Sequence, residues 1–427
     1  MQAQNQGMMA TNRRSFLSMA GFGAIATMLP SPAWSFHAQE YPTLKAEIEG
    51  YIASKKAAGA IAAIGYGLAQ PDIISAGTIA FGDPTPVDMD SLFRIYSMTK
   101  PIAGMAAMIL IGEGKMTLDQ PIADFLPEFK EMRVLTDPAN SLDTAPTKTQ
   151  ITVRHLLTHT AGLGYSIITK GPLLKLYLDN GITPGAVSRM KLPNIDTGAP
   201  TPDLKTFAER LATLPLIAEP GSKWSYSISL DLLGRVIEVA SGMDFESFLQ
   251  TRMFTPLRMN STYFTVPQSE VKRFTSNYAV FNGAMIPIDP AATSVYLDKP
   301  ALPSGGGGLV SSTRDYDRFL AMLLNGGTLD GQTIMTPEAA ALGMSNLLPE
   351  GADIKGTWVE DSHFGAGGRV GIGALAGTFG WGGAAGTAAF VHRVKKVRAT
   401  GMIQYMPSNA YPFQADFGKW VVADLGA

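Results

Sequence analysis

The sequence predicts a mixed α/β (α+β) protein in which a mainly helical region is inserted into an α/β domain. Two observations support this prediction. Short apolar segments with strand character lie near both ends of the chain, whereas segments with helical periodicity dominate its middle. The length of 427 residues and a hydrophobic content of 46% are sufficient for a large core. We expect residues 40–95 and 300–427 to form the α/β domain and residues 96–299 the helical domain.

The individual elements follow from the spacing of apolar residues and from Gly, Pro, Asp, Ser and Thr at their ends. In chain order we predict a helix at 44–57, strands at 60–67 and 73–79, helices at 97–112, 153–158, 206–214, 230–240, 245–253 and 316–324, strands at 385–392 and 397–405, and a helix at 413–425. Thr152 is expected to cap the helix that follows it. Residues 165–205 are rich in Gly, Pro and Thr, and we expect a long connection there.

The first 35 residues have the pattern of a secretory signal. Arg13 and Arg14 precede an apolar run at 19–29, which is followed by Pro30 and small residues. Paired arginines ahead of Phe-Leu are typical of the twin-arginine type. The run is about half the length of a membrane span, which needs about 20 apolar residues. We therefore expect export to the periplasm and no stable membrane span after processing.

Charge and cysteine content exclude several classes of protein. The net charge is −2 and no long block of like charges occurs, so nucleic acid is not an expected partner. The chain has no cysteine, which excludes disulfides and thiolate metal sites. His155 and His159 are four residues apart but lack the H-E-x-x-H pattern, and we interpret them as structural. We expect no metal and no cofactor. The sequence does not determine the oligomeric state.

Ser97 and Lys100 form an S-x-x-K motif at the start of a predicted helix. Residues three apart on a helix share a face, so the lysine would lie beside the serine hydroxyl. Pro101 fits this placement because proline is tolerated in the first turn. Serine needs a base to act as a nucleophile, and a lysine can serve if burial or a neighbouring cation lowers its pKa.

Two further motifs could complete a site for acyl transfer. Tyr226 lies on a loop just before a predicted helix, where its hydroxyl could relay a proton. The run Gly380-Trp381-Gly382-Gly383-Ala384 lies on a predicted strand near the C-terminus. Glycines in a strand allow close approach of a ligand, and an N–H group from this strand could contribute to an oxyanion hole. Each motif alone is also compatible with an ordinary structural role.

Together the motifs resemble the serine β-lactamase and penicillin-binding superfamily, and most closely its family VIII carboxylesterases. Two further stretches, at 154–163 and 305–312, fit the same resemblance. The resemblance implies an antiparallel sheet flanked by helices, with the active site at the interface with the inserted domain. It also implies that Ser97 is the nucleophile and that Lys100 and Tyr226 are the base and proton relay. The N–H groups of Ser97 and Ala384 would form the oxyanion hole.

The sequence departs from true β-lactamases at two places. Ser229 stands where they usually have Asn, and Trp381 replaces the lysine of Lys-Thr-Gly, which removes a charge-assisted bond to an anion. We therefore expect a neutral or lipophilic small-molecule ester as substrate, bound by Trp381, Gly382, Gly383, Ser229 and Gly307. A β-lactamase, a D-amino-acid peptidase or amidase, a transesterase and a non-catalytic binding protein remain alternatives. The G-x-S-x-G motif of α/β-hydrolases is absent from the sequence.

Overall fold

A seven-stranded sheet forms the centre of the protein. The structure is a computed structural model and describes residues 40–185, 187–190 and 200–426. The strands of the described chain are β1 (Gly59–Tyr66), β2 (Asp72–Gly77), β3 (Leu92–Arg94), β4 (Arg133–Leu135), β5 (Thr144–Pro146), β6 (Asn277–Phe281), β7 (Ala284–Asp289), β8 (Val310–Ser312), β9 (Thr328–Leu329), β10 (Gln332–Thr333), β11 (His363–Phe364), β12 (Arg369–Val370), β13 (Thr378–Gly382), β14 (Ala388–His392) and β15 (Val397–Ile403). The sheet has the order β11-β12-β13-β14-β15-β1-β2, and every neighbouring pair is antiparallel. This confirms a mixed fold with an antiparallel sheet built from both ends of the chain.

Helices cover both faces of this sheet. The α-helices of the described chain are α1 (Pro42–Ala53), α2 (Thr99–Gly112), α3 (Val153–Leu157), α4 (Pro172–Asp179), α5 (Leu204–Ala212), α6 (Ser229–Ser241), α7 (Phe245–Leu249), α8 (Thr313–Leu324), α9 (Pro337–Gly343) and α10 (Phe413–Asp424). The terminal helices α1 and α10 pack against each other and share one apolar cluster with the sheet. The helices α2 and α8 belong to the larger cluster on the other face.

The apolar character of β1 follows from this layered arrangement. The strand lies between β15 and β2, and seven of its eight residues are buried. Because helices cover both faces, its side chains point alternately into two cores rather than into one core and water. The sequence of β1 is therefore a nearly continuous apolar run instead of an alternating one.

The larger core extends across both of the predicted domains. It contains Phe93, Val391 and Met402 from the predicted α/β domain, together with Phe207 and Leu233 from the predicted helical domain. The division into these two domains therefore stays a prediction. The predicted signal segment lies outside the described residues. Among the helices that the structure does describe, none is sufficiently long and apolar to cross a bilayer.

Several elements differ from the sequence-based predictions. The helix expected from residue 97 begins with a single 3₁₀ turn at Tyr96–Met98, and its α-helical part starts at Thr99. The predicted connection at 165–205 contains α4, whose buried residues Leu173 and Tyr177 are one turn apart. The two-residue strands β11 and β12 were not predicted because they are too short to have an alternating pattern.

Candidate active site

Ser97 lies in the short turn between β3 and α2, where its side chain is half-buried. The preceding residue, Tyr96, has a φ of +41°, a left-handed conformation that is uncommon outside glycine. The buried Tyr96 hydroxyl accepts a hydrogen bond of 3.0 Å from Asn277 Nδ2, and its ring packs against Tyr296. Strained residues of this kind persist where the surrounding structure holds them, often beside functional groups. The turn therefore holds Ser97 at a defined position at the start of α2.

Lys100 is completely buried one turn after Ser97. Its Nζ donates hydrogen bonds to Ser97 Oγ at 3.1 Å and to the Gly306 carbonyl oxygen at 2.5 Å. The same Nζ lies 4.5 Å from the centroid of the Tyr226 ring. The S-x-x-K spacing thus brings the amine and the hydroxyl together, as expected from the helical repeat.

The Gly306 carbonyl is positioned by Asp231, a buried residue of α6. Asp231 Oδ1 accepts hydrogen bonds from Ser304 Oγ at 2.5 Å and from the Gly306 N–H at 3.0 Å. A Cβ atom at Gly306 would lie 2.4 Å from Asp231 Oδ2, so only glycine allows this close approach. Burial raises the pKa of the Asp231 carboxyl, and the two hydrogen bonds oppose this shift. One function of the glycine run is therefore to bring a carbonyl oxygen to Lys100.

Tyr226 completes this group of polar side chains. Its hydroxyl shares a hydrogen bond of 2.6 Å with Ser97 Oγ, and only 5% of the residue is exposed. Aromatic rings surround it with centroid distances between 4.8 and 6.2 Å: those of His159, Tyr165, Trp224, Trp358 and Trp381. This packing fixes the position of the phenol ring next to the serine.

A buried polar chain lies behind the Tyr226 ring. His159 Nδ1 shares a hydrogen bond of 2.9 Å with Ser227 Oγ, which in turn contacts Ser229 Oγ at 2.7 Å. Burial and the positive charge of Lys100 hold the pKa of His159 well below its usual value, which favours the neutral imidazole. These contacts agree with the structural interpretation of His159. Ser229 has no exposed surface and does not reach the cavity.

The end of β13 passes close to the turn that carries Ser97. A Cβ atom at Gly383 would lie 2.3 Å from the Ile95 carbonyl oxygen, so a side chain cannot be accommodated there. Gln414 of α10 donates hydrogen bonds to the carbonyl oxygens of Gly383 and Thr387 at 2.6 and 2.8 Å. Within the described chain, the Ala384 N–H has no protein acceptor. It is therefore available to a ligand in the adjoining cavity.

The cavity in front of Ser97 has a volume of about 510 Å³. Its walls include Tyr226, Trp358, Leu375 and Trp381, and the apolar surface exceeds the polar surface. Arg369 is the one formally charged residue among the described residues that line it. The Arg369 guanidinium carbon lies 5.6 Å from the centroid of the Trp381 ring.

The structure brings most of the predicted site residues to this cavity. Those that line it are Ser97, Tyr226, Trp381, Gly382, Gly383 and Ala384. Lys100 lies directly behind Ser97, and Gly307 packs near Tyr96 outside the lining. Within the described ranges, no group of acidic and histidine side chains is arranged to hold a metal ion. Trp358 and Arg369 also line the cavity and were not predicted from the sequence, because they belong to no motif.

Comparison with known proteins shows the family of the chain. A model of the Beta-lactamase family matches residues 45–423. The chain belongs to the Beta-lactamase family. Among its curated relatives in the family, Esterase EstB of Burkholderia gladioli is 32% identical over 329 residues, which are 72% of this chain and 76% of EstB. Protein Rv1367c of Mycobacterium tuberculosis is 35% identical over 266 residues, and the match spans only 62% of each chain.

A solved structure of the same fold was also found. EstCE1, described as "a hydrolase with promiscuous acyltransferase activity", superposes with a TM-score of 0.72 and 24% sequence identity. The match covers 90% of this chain and 98% of EstCE1. At this level of identity the comparison shows the fold alone, which is that of the family.

Proposed function

We propose that this protein is a serine hydrolase that cleaves carboxylic esters through an acyl-enzyme on Ser97. The observation that carries the proposal is the hydrogen-bonded group in which Ser97 Oγ contacts both Tyr226 OH, at 2.6 Å, and Lys100 Nζ, at 3.1 Å. A nucleophile in contact with two groups that can accept or pass its proton is the arrangement needed for covalent catalysis.

In the acylation step Ser97 Oγ attacks the ester carbonyl carbon and forms a C–O bond. The proton of the serine passes to the Tyr226–Lys100 pair, which then delivers it to the alkoxy oxygen as the second C–O bond breaks. The products of this step are a free alcohol and an acyl group on Ser97. Lys100 takes part through its contacts with Ser97 and with the face of the Tyr226 ring.

Deacylation reverses these roles with water as the nucleophile. Water attacks the acyl carbon, gives its proton to the pair and releases a carboxylic acid, while Ser97 recovers its proton. In both steps the negative charge on the carbonyl oxygen would be stabilised by the N–H groups of Ser97 and Ala384. The mainly apolar walls of the cavity would strengthen these hydrogen bonds, because they lower the local dielectric constant.

Transfer of the acyl group to an alcohol is the second candidate activity. It uses the same acyl-enzyme and differs only in the acceptor. A relative named Acyltransferase calJ, from Penicillium decumbens, is 30% identical to this chain over 347 residues and favours this candidate. Adding a primary alcohol to the ester assay would test it, since transfer forms a new ester in place of part of the acid. Release of acid alone at every alcohol concentration would argue against it.

Steady-state hydrolysis of p-nitrophenyl butyrate and of a chromogenic cephalosporin tests the main proposal. We expect the wild-type protein to cleave the ester faster than the cephalosporin. Ser97→Ala should lower ester cleavage by at least about a thousandfold, because the nucleophile is removed. Unchanged ester cleavage in this variant would disprove the acyl-enzyme on Ser97. Faster cleavage of the cephalosporin would instead indicate a β-lactamase, and cleavage of a D-Ala peptide a peptidase.

We also propose that the protein is exported to the periplasm through a twin-arginine signal. The support is the sequence of residues 1–35, with Arg13 and Arg14 ahead of the apolar run. Mass spectrometry of the protein isolated from its host's periplasm should find an N-terminus close to Ser35. An intact Met1 on that protein would contradict cleavage of a signal.

A further inference from the structure

Arg369 lies at the cavity wall without an acidic partner. One of its terminal nitrogens donates to the Trp358 carbonyl oxygen, while its Nε is buried and has no acceptor. Asp361 acts on the guanidinium only through its charge, and no carboxylate of the described chain forms an ion pair with it. Since a guanidinium carries five N–H donors, most of its hydrogen-bonding capacity remains unused.

The two fully buried arginines of the described chain are paired with carboxylates. Arg94 pairs with Asp289 at 2.5 Å, and Arg398 pairs with Asp317 at 2.7 Å, with all four side chains at most 7% exposed. Burial of an unpaired cation is costly, and proteins normally avoid it by supplying a carboxylate. Arg369 is half-buried and has no such carboxylate, and it lies where the protein has a cavity next to the candidate nucleophile.

We propose that Arg369 binds a carboxylate of the substrate, so that the preferred esters carry a negative charge on the acyl or the alcohol part. This inference rests on the proposed ester hydrolysis and specifies its substrate class. The planar guanidinium can form two parallel hydrogen bonds to a carboxylate. The apolar walls around it would strengthen that contact and hold the rest of the substrate.

This proposal revises the expectation of a neutral substrate. That expectation was based on Trp381, which replaces a lysine on β13. The sheet register pairs Gly380 of β13 with Arg369 of β12, and the guanidinium lies over the Trp381 ring. The neighbouring strand therefore supplies a cation close to the position from which the lysine is missing. The separation of the two residues in sequence conceals this relationship.

Ligand binding to the Ser97→Ala protein tests the inference without turnover. Titration calorimetry would compare 4-butyryloxybenzoate with its methyl ester, and monoethyl adipate with diethyl adipate. We expect the carboxylate of at least one pair to bind about tenfold or more tightly than its neutral partner, as for a charged hydrogen bond. Adding Arg369→Gln should reduce that ratio to about one.

Arg393→Gln is the matched control. Arg393 also has a buried Nε without an acceptor, but it lies outside the cavity, so its replacement should leave the ratio unchanged. Equal binding of charged and neutral ligands by the Ser97→Ala protein, or absence of binding, would overturn the inference. A loss of affinity for both ligands by the same factor in Arg369→Gln would also overturn it, since Arg369 would then be structural.

Failure of this inference can be distinguished from failure of the proposed hydrolysis. The binding ratio does not depend on turnover, whereas the proposed function is tested with neutral p-nitrophenyl butyrate. Ester cleavage without a charge preference in binding would support the proposed hydrolase and contradict the proposed role of Arg369. A charge preference that depends on Arg369, in a protein that cleaves no ester, would support an anion site and contradict the reaction.

Discussion

At the scale of single residues, the candidate base depends on a carboxylate that does not touch it. Asp231 accepts hydrogen bonds from Ser304 Oγ and the Gly306 N–H, and the Gly306 carbonyl oxygen accepts from Lys100. The position of the Lys100 amine is thus set through one peptide unit. Asp231 is a positioning residue in this arrangement, and its replacement should affect turnover through Lys100.

Replacing Asp231 by alanine should lower kcat more than it raises KM. The change leaves two buried donors without an acceptor, at a cost of about 1–3 kcal/mol in the free energy of unfolding. It also frees the Gly306 carbonyl, and a displacement of about 1 Å can reduce kcat about a hundredfold. Steady-state kinetics on p-nitrophenyl butyrate and a thermal melt measure the two effects.

Asp231→Asn is the matched variant because its amide oxygen can still accept both hydrogen bonds. We expect it to recover most of the kcat lost in Asp231→Ala. If the asparagine variant is as slow as the alanine variant, the charge of Asp231 matters rather than the position of Gly306. If neither variant is slowed, Lys100 does not depend on this contact.

Sequence patterns predicted the candidate reacting residues but not the residues that position them. Ser97 and Lys100 form a local motif, so helical spacing alone predicts that they meet. The contact of Asp231 with Gly306 joins residues 75 positions apart, and Lys100 is 206 positions from Gly306. The sequence did not predict a role for Arg369, because its position beside Trp381 depends on the register between β12 and β13. Such relationships arise from tertiary packing and have no local periodicity.

At the scale of elements, α3 begins with a capping box that contains a titratable group. Thr152 caps the helix as predicted, accepting from the His155 N–H, while His155 Nδ1 accepts from the Thr152 N–H at 3.1 Å. Glu or Gln usually occupies the histidine position in this motif. A protonated imidazole has no acceptor, so protonation of His155 breaks half of the capping box.

The stability of the protein should therefore decrease between about pH 6.5 and 4. Burial lowers the pKa of His155 to about 4 in the folded chain, from about 6.5 when unfolded. As the pH falls, the unfolded chain binds the proton first, which reduces the free energy of unfolding by up to about 1.4 kcal/mol per pH unit. Above pH 6.5 this contribution is fully retained. Urea unfolding at pH 7 and pH 5 measures the difference.

Between pH 7 and pH 5, the free energy of unfolding of His155→Gln should fall by about 1–2 kcal/mol less than that of the wild type. Glutamine preserves the hydrogen bond to the Thr152 N–H and does not titrate. His363→Gln, at an exposed position of β11, is the control and should behave as the wild type. An identical pH dependence in His155→Gln and the wild type would show that this capping box is not the titrating element.

Elements with a clear period and marked ends were predicted well, and short ones were not. The ends of α2 and α8 and both ends of α10 lie within one residue of the prediction. The helix α4 was not predicted, because it has only about two turns and lies in a segment whose Gly and Pro content indicates a loop. Contacts with other segments decide the structure at such positions.

At the scale of the whole molecule, contacts between distant parts of the chain hold the candidate site together. Asp424 near the C-terminus accepts hydrogen bonds from the Thr43 and Leu44 N–H groups at the start of α1, which has no side-chain cap of its own. Arg94, three residues before Ser97, donates to Asp289 Oδ2 at 2.6 Å and to the Thr275 carbonyl oxygen at 2.6 Å. The turn that carries Ser97 is thus tied to a hairpin almost 200 residues away.

We therefore expect Asp289→Ala to strongly destabilise the protein and to disturb ester cleavage with it. Arg94 and Asp289 are at most 1% exposed, and removal of one partner leaves a buried charge at a cost of about 3–5 kcal/mol. Asp90→Ala removes the partner of Arg314 on the surface, where both side chains are 51% exposed, and should cost less than about 1 kcal/mol. Urea unfolding of both variants compares these costs. Equal effects of less than about 1 kcal/mol would mean that Arg94 finds other acceptors, so that the hairpin does not hold the turn that carries Ser97.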